Sequence, residues 1–131
     1  IRRRLEGLAA RRATEAGDEE LHLKLQNAVE LQEFYTLKGD AEQLQSIDSR
    51  FHEILYENCG SILRDTLTSL HRRIRRYRKD SVTDLERAQL ATSEHRAIYE
   101  AIVAGDASLA ERLTVVHICN AYESILKKEN N

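Results

Sequence analysis

Apolar residues recur at helical spacing along almost the whole chain, and most glycines fall where that spacing breaks. Ile1, Leu5, Leu8 and Ala9 predict a first helix over about 1–16, stopped by Gly17, with Asp18 placed to cap the next. Leu21, Leu25, Ala28, Val29 and Leu31 mark a second over 19–38, closed by Gly39 ahead of a new cap at Asp40. Leu44, Ile47, Phe51, Ile54 and Leu55 mark a third over 41–58, ending near Cys59-Gly60. Leu63, Leu67, Leu70, Ile74 and Tyr77 mark a fourth over 61–79, opened by Ser61. Residues 80–84 read as a loop. A fifth helical stretch runs to Ala104, with a break expected near Thr92-Ser93, and Gly105-Asp106 separates it from a last helix over 107–127. No segment alternates as a strand does. The expected fold is all-α: an antiparallel bundle of about six helices with short connections.

Composition agrees with one helical domain. The chain has 131 residues, 41% hydrophobic and 32% charged, with no proline to interrupt a helix. It also has no methionine and starts in mid-pattern at Ile1-Arg2-Arg3-Arg4, so it reads as a fragment whose N-terminal part is missing. A net charge of −2 argues against a nucleic-acid or anionic-membrane surface. No apolar run approaches 18 residues, so no membrane span is expected. Cys59 and Cys119 are far apart and lack a CxxC, which excludes a disulfide framework or an all-cysteine zinc site and points to a reducing cytoplasm. No nucleophile elbow, HExxH or phosphate-cradling glycine loop is present.

The chemistry concentrates in the histidines. Asp48 and His52 are one helical turn apart, on a face shared with Leu44 and Leu55. His95 aligns with Ile98 and Ile102, and His117 with Leu109 and Leu113, so three helices aim ligating side chains inward. A carboxylate in such a place needs a partner or a metal. Asp48, His52, His95 and His117 together suit Zn2+, Ni2+ or another divalent ion. The alternative is an ordinary Asp–His hydrogen bond plus two core histidines. Asp18 and His22 repeat the spacing, but Asp18 is needed as a cap. His71 could border a pocket. The run from Arg72 to Lys79 reads as a solvated face from which one arginine can turn inward to a carboxylate.

In their order along the chain these residues resemble a known family. Arg2-x-x-Leu5-Glu6-x-x-Ala9-Ala10, then Asp48-x-x-Phe51-His52-x-x-Leu55, then Glu94-His95-Arg96-Ala97-Ile98 with Ala101-Ile102-x-Ala104-Gly105-Asp106, and finally His117 are similar to the FCD domain of FadR-subfamily, GntR-family regulators. That resemblance implies a homodimeric bacterial transcription regulator whose winged helix-turn-helix precedes this domain and binds operator DNA. It implies a metal, most simply Zn2+, held by Asp48, His52, His95 and His117 at the bottom of a pocket for a small carboxylate or sugar acid. Arg2 matches an effector-facing position of that family. Asn120, one turn beyond His117, and Arg73 are further nominations for effector contact. The competing expectations are a metal-stapled dimerisation module and, more remotely, a metal-dependent hydrolase.

Overall fold

A computed structural model describes residues 1–78 and 85–129, with side chains for all of these except 74–78, 125 and 127–129. Six helices follow in order: α1 (Arg2–Ala16), α2 (Glu19–Lys38), α3 (Ala41–Leu55), α4 (Ser61–Arg78), α5 (Leu85–Val103) and α6 (Ala107–Glu129). The aspartate caps sit where the sequence put them, whereas Ser61 is the first residue of α4 itself. Asp18 accepts from the Glu20 amide and Asp40 from the Gln43 amide, while Gly17 and Gly39 take the left-handed conformation that closes the preceding helix. The expected loop at 80–84 and the packing of Ile74 and Tyr77 lie outside the described residues.

Two boundaries differ from expectation. α3 ends at Leu55 rather than 58, because the Tyr56, Glu57 and Cys59 amides turn back to carbonyls three residues earlier and tighten the chain. The Arg12 guanidinium then holds the Cys59 carbonyl at 2.8 Å. α5 runs unbroken through Thr92 and Ser93, whose hydroxyls donate to the Ala88 and Gln89 carbonyls and therefore cap nothing.

The helices pack antiparallel. α1 lies most extensively on α6, α6 on α5, α5 on α2 and α2 on α3, while α4 rests chiefly on α1. Buried Ala9, Ala10 and Ala13 let the backbones of α1 and its neighbours come close. Gly7 is the tightest point of that contact. A Cβ there would stand 2.8 Å from Val115 Cγ2 and 3.3 Å from the Glu111 carbonyl oxygen. The inward stripe of α1 is accordingly Glu6, Gly7, Ala9, Ala10, Ala13 and Thr14, rotated from the stripe through Ile1 and Leu8 that hydrophobicity alone suggested. Leu31 of α2 is exposed as well. The apolar core of Leu21, Leu25, Val29, Phe51, Ile54, Leu55, Leu67, Ile98 and Ile102 surrounds an unusual set of buried polar groups: Glu6, Gln32, His52, His71, His95 and His117.

Candidate metal centre

Those polar groups meet where α3, α5 and α6 face one another. Asp48, His52, His95 and His117 each offer one ligand atom, and these four atoms lie within 4.8 Å of one another. The three imidazoles are buried and Asp48 is 21% exposed, so the cluster reaches solvent on the carboxylate side. His95 Nε2 is 3.4 Å and His52 Nε2 3.8 Å from Asp48 Oδ1. The Phe51 ring stacks on His95 at 4.0 Å between centroids and fixes its plane.

The other side of each ring decides what the cluster can do. His95 Nδ1 donates to Gln32 Oε1 at 2.7 Å, and His117 Nδ1 donates to Glu94 Oε1 at 2.6 Å. An amide oxygen and a carboxylate only accept, so both Nδ1 atoms carry the hydrogen and both Nε2 atoms carry lone pairs. Those Nε2 atoms are 3.1 Å apart. Two lone pairs at that distance repel unless a positive charge lies between them. Metal–nitrogen bonds of about 2.0–2.1 Å bring neighbouring ligands to about 3.0–3.4 Å, so the donor set fits a divalent ion. His52 follows the pattern more loosely. Its Nδ1 faces Glu6 Oε2 at 3.6 Å, beyond hydrogen-bond length, and neither atom has a hydrogen-bond partner among the described residues.

Charge is balanced around this ring of acceptors. Tyr56 donates to Glu6 Oε1 at 2.5 Å, and Arg2 Nη2 stands 3.5 Å from the same oxygen. Burial pushes the Glu6 carboxyl up, but His52, Arg2 and Tyr56 together hold it below the usual carboxylate range. The Tyr56 hydroxyl is pushed far up by burial and by Glu6, so it remains a donor. Glu94 receives a fork of bonds from Arg87 at 2.7 and 3.3 Å and a third from Asn120 Nδ2 at 2.8 Å. Burial raises the Glu94 pKa; His117, Arg87 and Asn120 outweigh it and bring it down to about 2. Burial also pushes His117 down against the pull of Glu94, which keeps that imidazole neutral, as a metal ligand must be.

The residues nominated from sequence have distinct placements. Arg2 is mostly buried beside Glu6, with its Nε lacking a hydrogen-bond partner among the described residues. Asn120 is tied to Glu94, which itself holds His117. Arg73 is exposed on the outer side of α4, where it borders a surface hollow with Asp65, Thr68, Ser69 and Arg72. His22 is partly buried and outside the cluster, and Cys59 is buried with its thiol on the Tyr56 carbonyl. Sequence reasoning missed Gln32 and Glu94, which orient His95 and His117, and the Glu6–Tyr56 pair beside His52, and it gave His71 no definite role. Glu6 stands four residues before Ala10 and seven before Ala13, and Gln32 falls three after Val29 and seven after Leu25. A polar side chain in an otherwise apolar helical register was the available signal for both.

The family model of the FCD domain matches residues 1–120 of the chain. Comparison with curated proteins gives no match.

Proposed function

The chain belongs to the FCD domain family, the effector-binding domain found in GntR-family regulators, and on that premise we propose that it senses a small organic acid through a metal held by Asp48, His52, His95 and His117. The observation that carries this is the convergence of the His95 and His117 lone pairs at 3.1 Å, each imidazole fixed from behind by an acceptor on another helix. The metal is proposed to be Zn2+, with Ni2+ or another divalent ion as the alternative. When bound, it supplies Lewis-acidic positions for carboxylate or hydroxyl oxygens.

The protein's own residues set what such a site prefers. Glu6 is offset by Arg2 and Glu94 by Arg87, so Asp48 alone stands against a divalent charge. The balance is one positive charge in a partly desolvated site, which favours an anion. Arg2, whose charge Glu6 offsets, adds a buried N–H without a hydrogen-bond partner among the described residues. Asn120, whose amide nitrogen is engaged by Glu94, keeps its oxygen for a ligand hydroxyl. Arg73, out on α4, would act on approach through its charge rather than by contact.

In the whole regulator this domain would also dimerise, and a winged helix-turn-helix ahead of Ile1 would bind operator DNA in the cytoplasm, with acid binding altering the placement of the two DNA-reading heads. FCD domains are typically regulatory modules rather than catalysts. Glu94 is committed to orienting His117, and Glu6 is held by Tyr56 and Arg2, which argues against a hydrolytic base there. No described helix is long and apolar enough to cross a membrane.

The test is calorimetric titration of hydroxy acids, sugar acids and dicarboxylates into Zn2+-loaded and metal-stripped protein. Binding confined to the loaded form, without consumption of the acid, is expected. Equal binding in both forms would refute coordination, and a metal-loaded protein that binds no acid would leave only a structural staple.

A further inference from the structure

His71 is the one buried imidazole near the cluster that the metal set does not use. It lies on α4, 5% exposed, and neither ring nitrogen has a hydrogen-bond partner among the described residues. Its ring centroid is 5.3 Å from that of the ligand-set residue His52 and 6.4 Å from that of Tyr56. An imidazole carries one N–H and one lone pair in its neutral form, and leaving both unmet in a protein interior is destabilising. Arg2 Nε, in the same electrostatic neighbourhood, is also buried without a hydrogen-bond partner among the described residues. Unmet donors from α1 and α4 thus flank the cluster beside His52. An apolar side chain at 71 would fill that place with no such penalty.

We propose that His71 is a ligand-recognition residue: its ring N–H binds an oxygen of the acid that the metal leaves uncoordinated, opposite Arg2, while its second nitrogen accepts from a hydroxyl of the same molecule. This rests on the metal-and-acid reading of the cluster and adds its substrate class, a hydroxy acid rather than a simple carboxylic acid. A plain carboxylate would satisfy the N–H and leave the lone pair unmet. A hydroxy acid satisfies both.

The experiment titrates malate and succinate, which differ by one hydroxyl, into wild type and His71→Leu at constant free Zn2+. Wild type is expected to prefer malate, and His71→Leu to lose roughly tenfold or more in malate affinity, the scale of one hydrogen bond to a charged group, with its Zn2+ affinity intact. The preference for malate over succinate should shrink in the variant. In parallel, the 15N resonances of the His71 ring in wild type should move on malate addition, which keeps the test independent of how well the variant folds. Unchanged malate affinity in a folded variant, or ring resonances that ignore malate, would overturn the role of His71. Loss of Zn2+ in His71→Leu would make it a metal ligand instead, and so overturn the role too. If wild type binds neither of these two acids, the role given to His71 fails, and the wider panel of acids above decides separately whether the reading of the whole site fails with it.

Discussion

Gln32 shows most plainly how single residues govern this centre. It is neutral, buried and remote in sequence from every ligand, yet its amide oxygen selects the tautomer of His95. Gln32→Leu keeps the volume and removes the acceptor, so His95 is free to turn its N–H toward the cluster. Metal affinity should fall by about 10- to 100-fold, as is usual when a ligand's supporting hydrogen bond is lost, and competition against a chelating dye would measure it. Affinity within twofold of wild type would mean that Phe51 stacking alone orients the ring. His71 makes a different prediction. Burial, with His52 close by, lowers its pKa from 6.5 to about 4. The unfolded chain therefore takes up this proton before the folded one does. Stability from keeping His71 neutral is complete above pH 6.5 and is lost as pH falls toward 4. In chelator-treated protein, urea melts should show His71→Phe losing up to one proton from that pH dependence, about 1.4 kcal/mol per pH unit. Identical slopes would place His71 in a more polar setting than its neighbours indicate.

Among the helices, the contact of α1 with α6 depends on Gly7. Alanine is the better helix former by about 1 kcal/mol, so Gly7→Ala would stabilise an isolated helix. Here the added methyl meets Val115, a branched side chain with little freedom, and the Glu111 carbonyl. Gly7→Ala is expected to destabilise by about 1–3 kcal/mol net, read from the midpoint of denaturant unfolding. A stabilised variant would show that α1 and α6 can separate freely. Gly7 also marks where sequence reading stops short. Helix number, caps and breaks were legible because they depend on local spacing and on Asp or Gly at the ends. Which face of α1 turns inward was not legible, because it is set by close backbone approach to a helix more than a hundred residues away. Thr92 and Ser93 looked like a break for the converse reason: a hydroxyl that bonds back along its own helix is indistinguishable in sequence from a cap.

At the scale of the molecule, the four residues that cluster were readable while the groups that orient them were not. Asp48 and His52 announce themselves by a four-residue spacing, and His95 and His117 by alignment with apolar neighbours. Glu6, Gln32 and Glu94 act across helix boundaries, and no spacing along the chain encodes which ring each will hold. Removing a bound metal should therefore be felt in every helix that carries one of these groups. Chelation should lower the melting temperature and Zn2+ restore it, with a gain of about 2.7 kcal/mol when free metal is 100 times Kd. Identical melts with and without chelator would mean the cluster holds no ion.

The pairing of each imidazole with its acceptor has one more consequence. His52 on α3 looks to Glu6 on α1, His95 on α5 to Gln32 on α2, and His117 on α6 to Glu94 on α5. An ion at their centre would weave five helices into one cooperative unit and leave α4, which rests chiefly on α1, outside it. Amide hydrogen exchange should then separate the molecule into two classes: slow, metal-dependent opening shared by α1, α2, α3, α5 and α6, and faster opening of α4 whatever the metal content. Uniform protection across all six helices would show that α4 belongs to the same unit. If α4 does open separately, it can unfold and refold many times during the residence of a single ion, because no member of the Asp48, His52, His95 and His117 set lies on it.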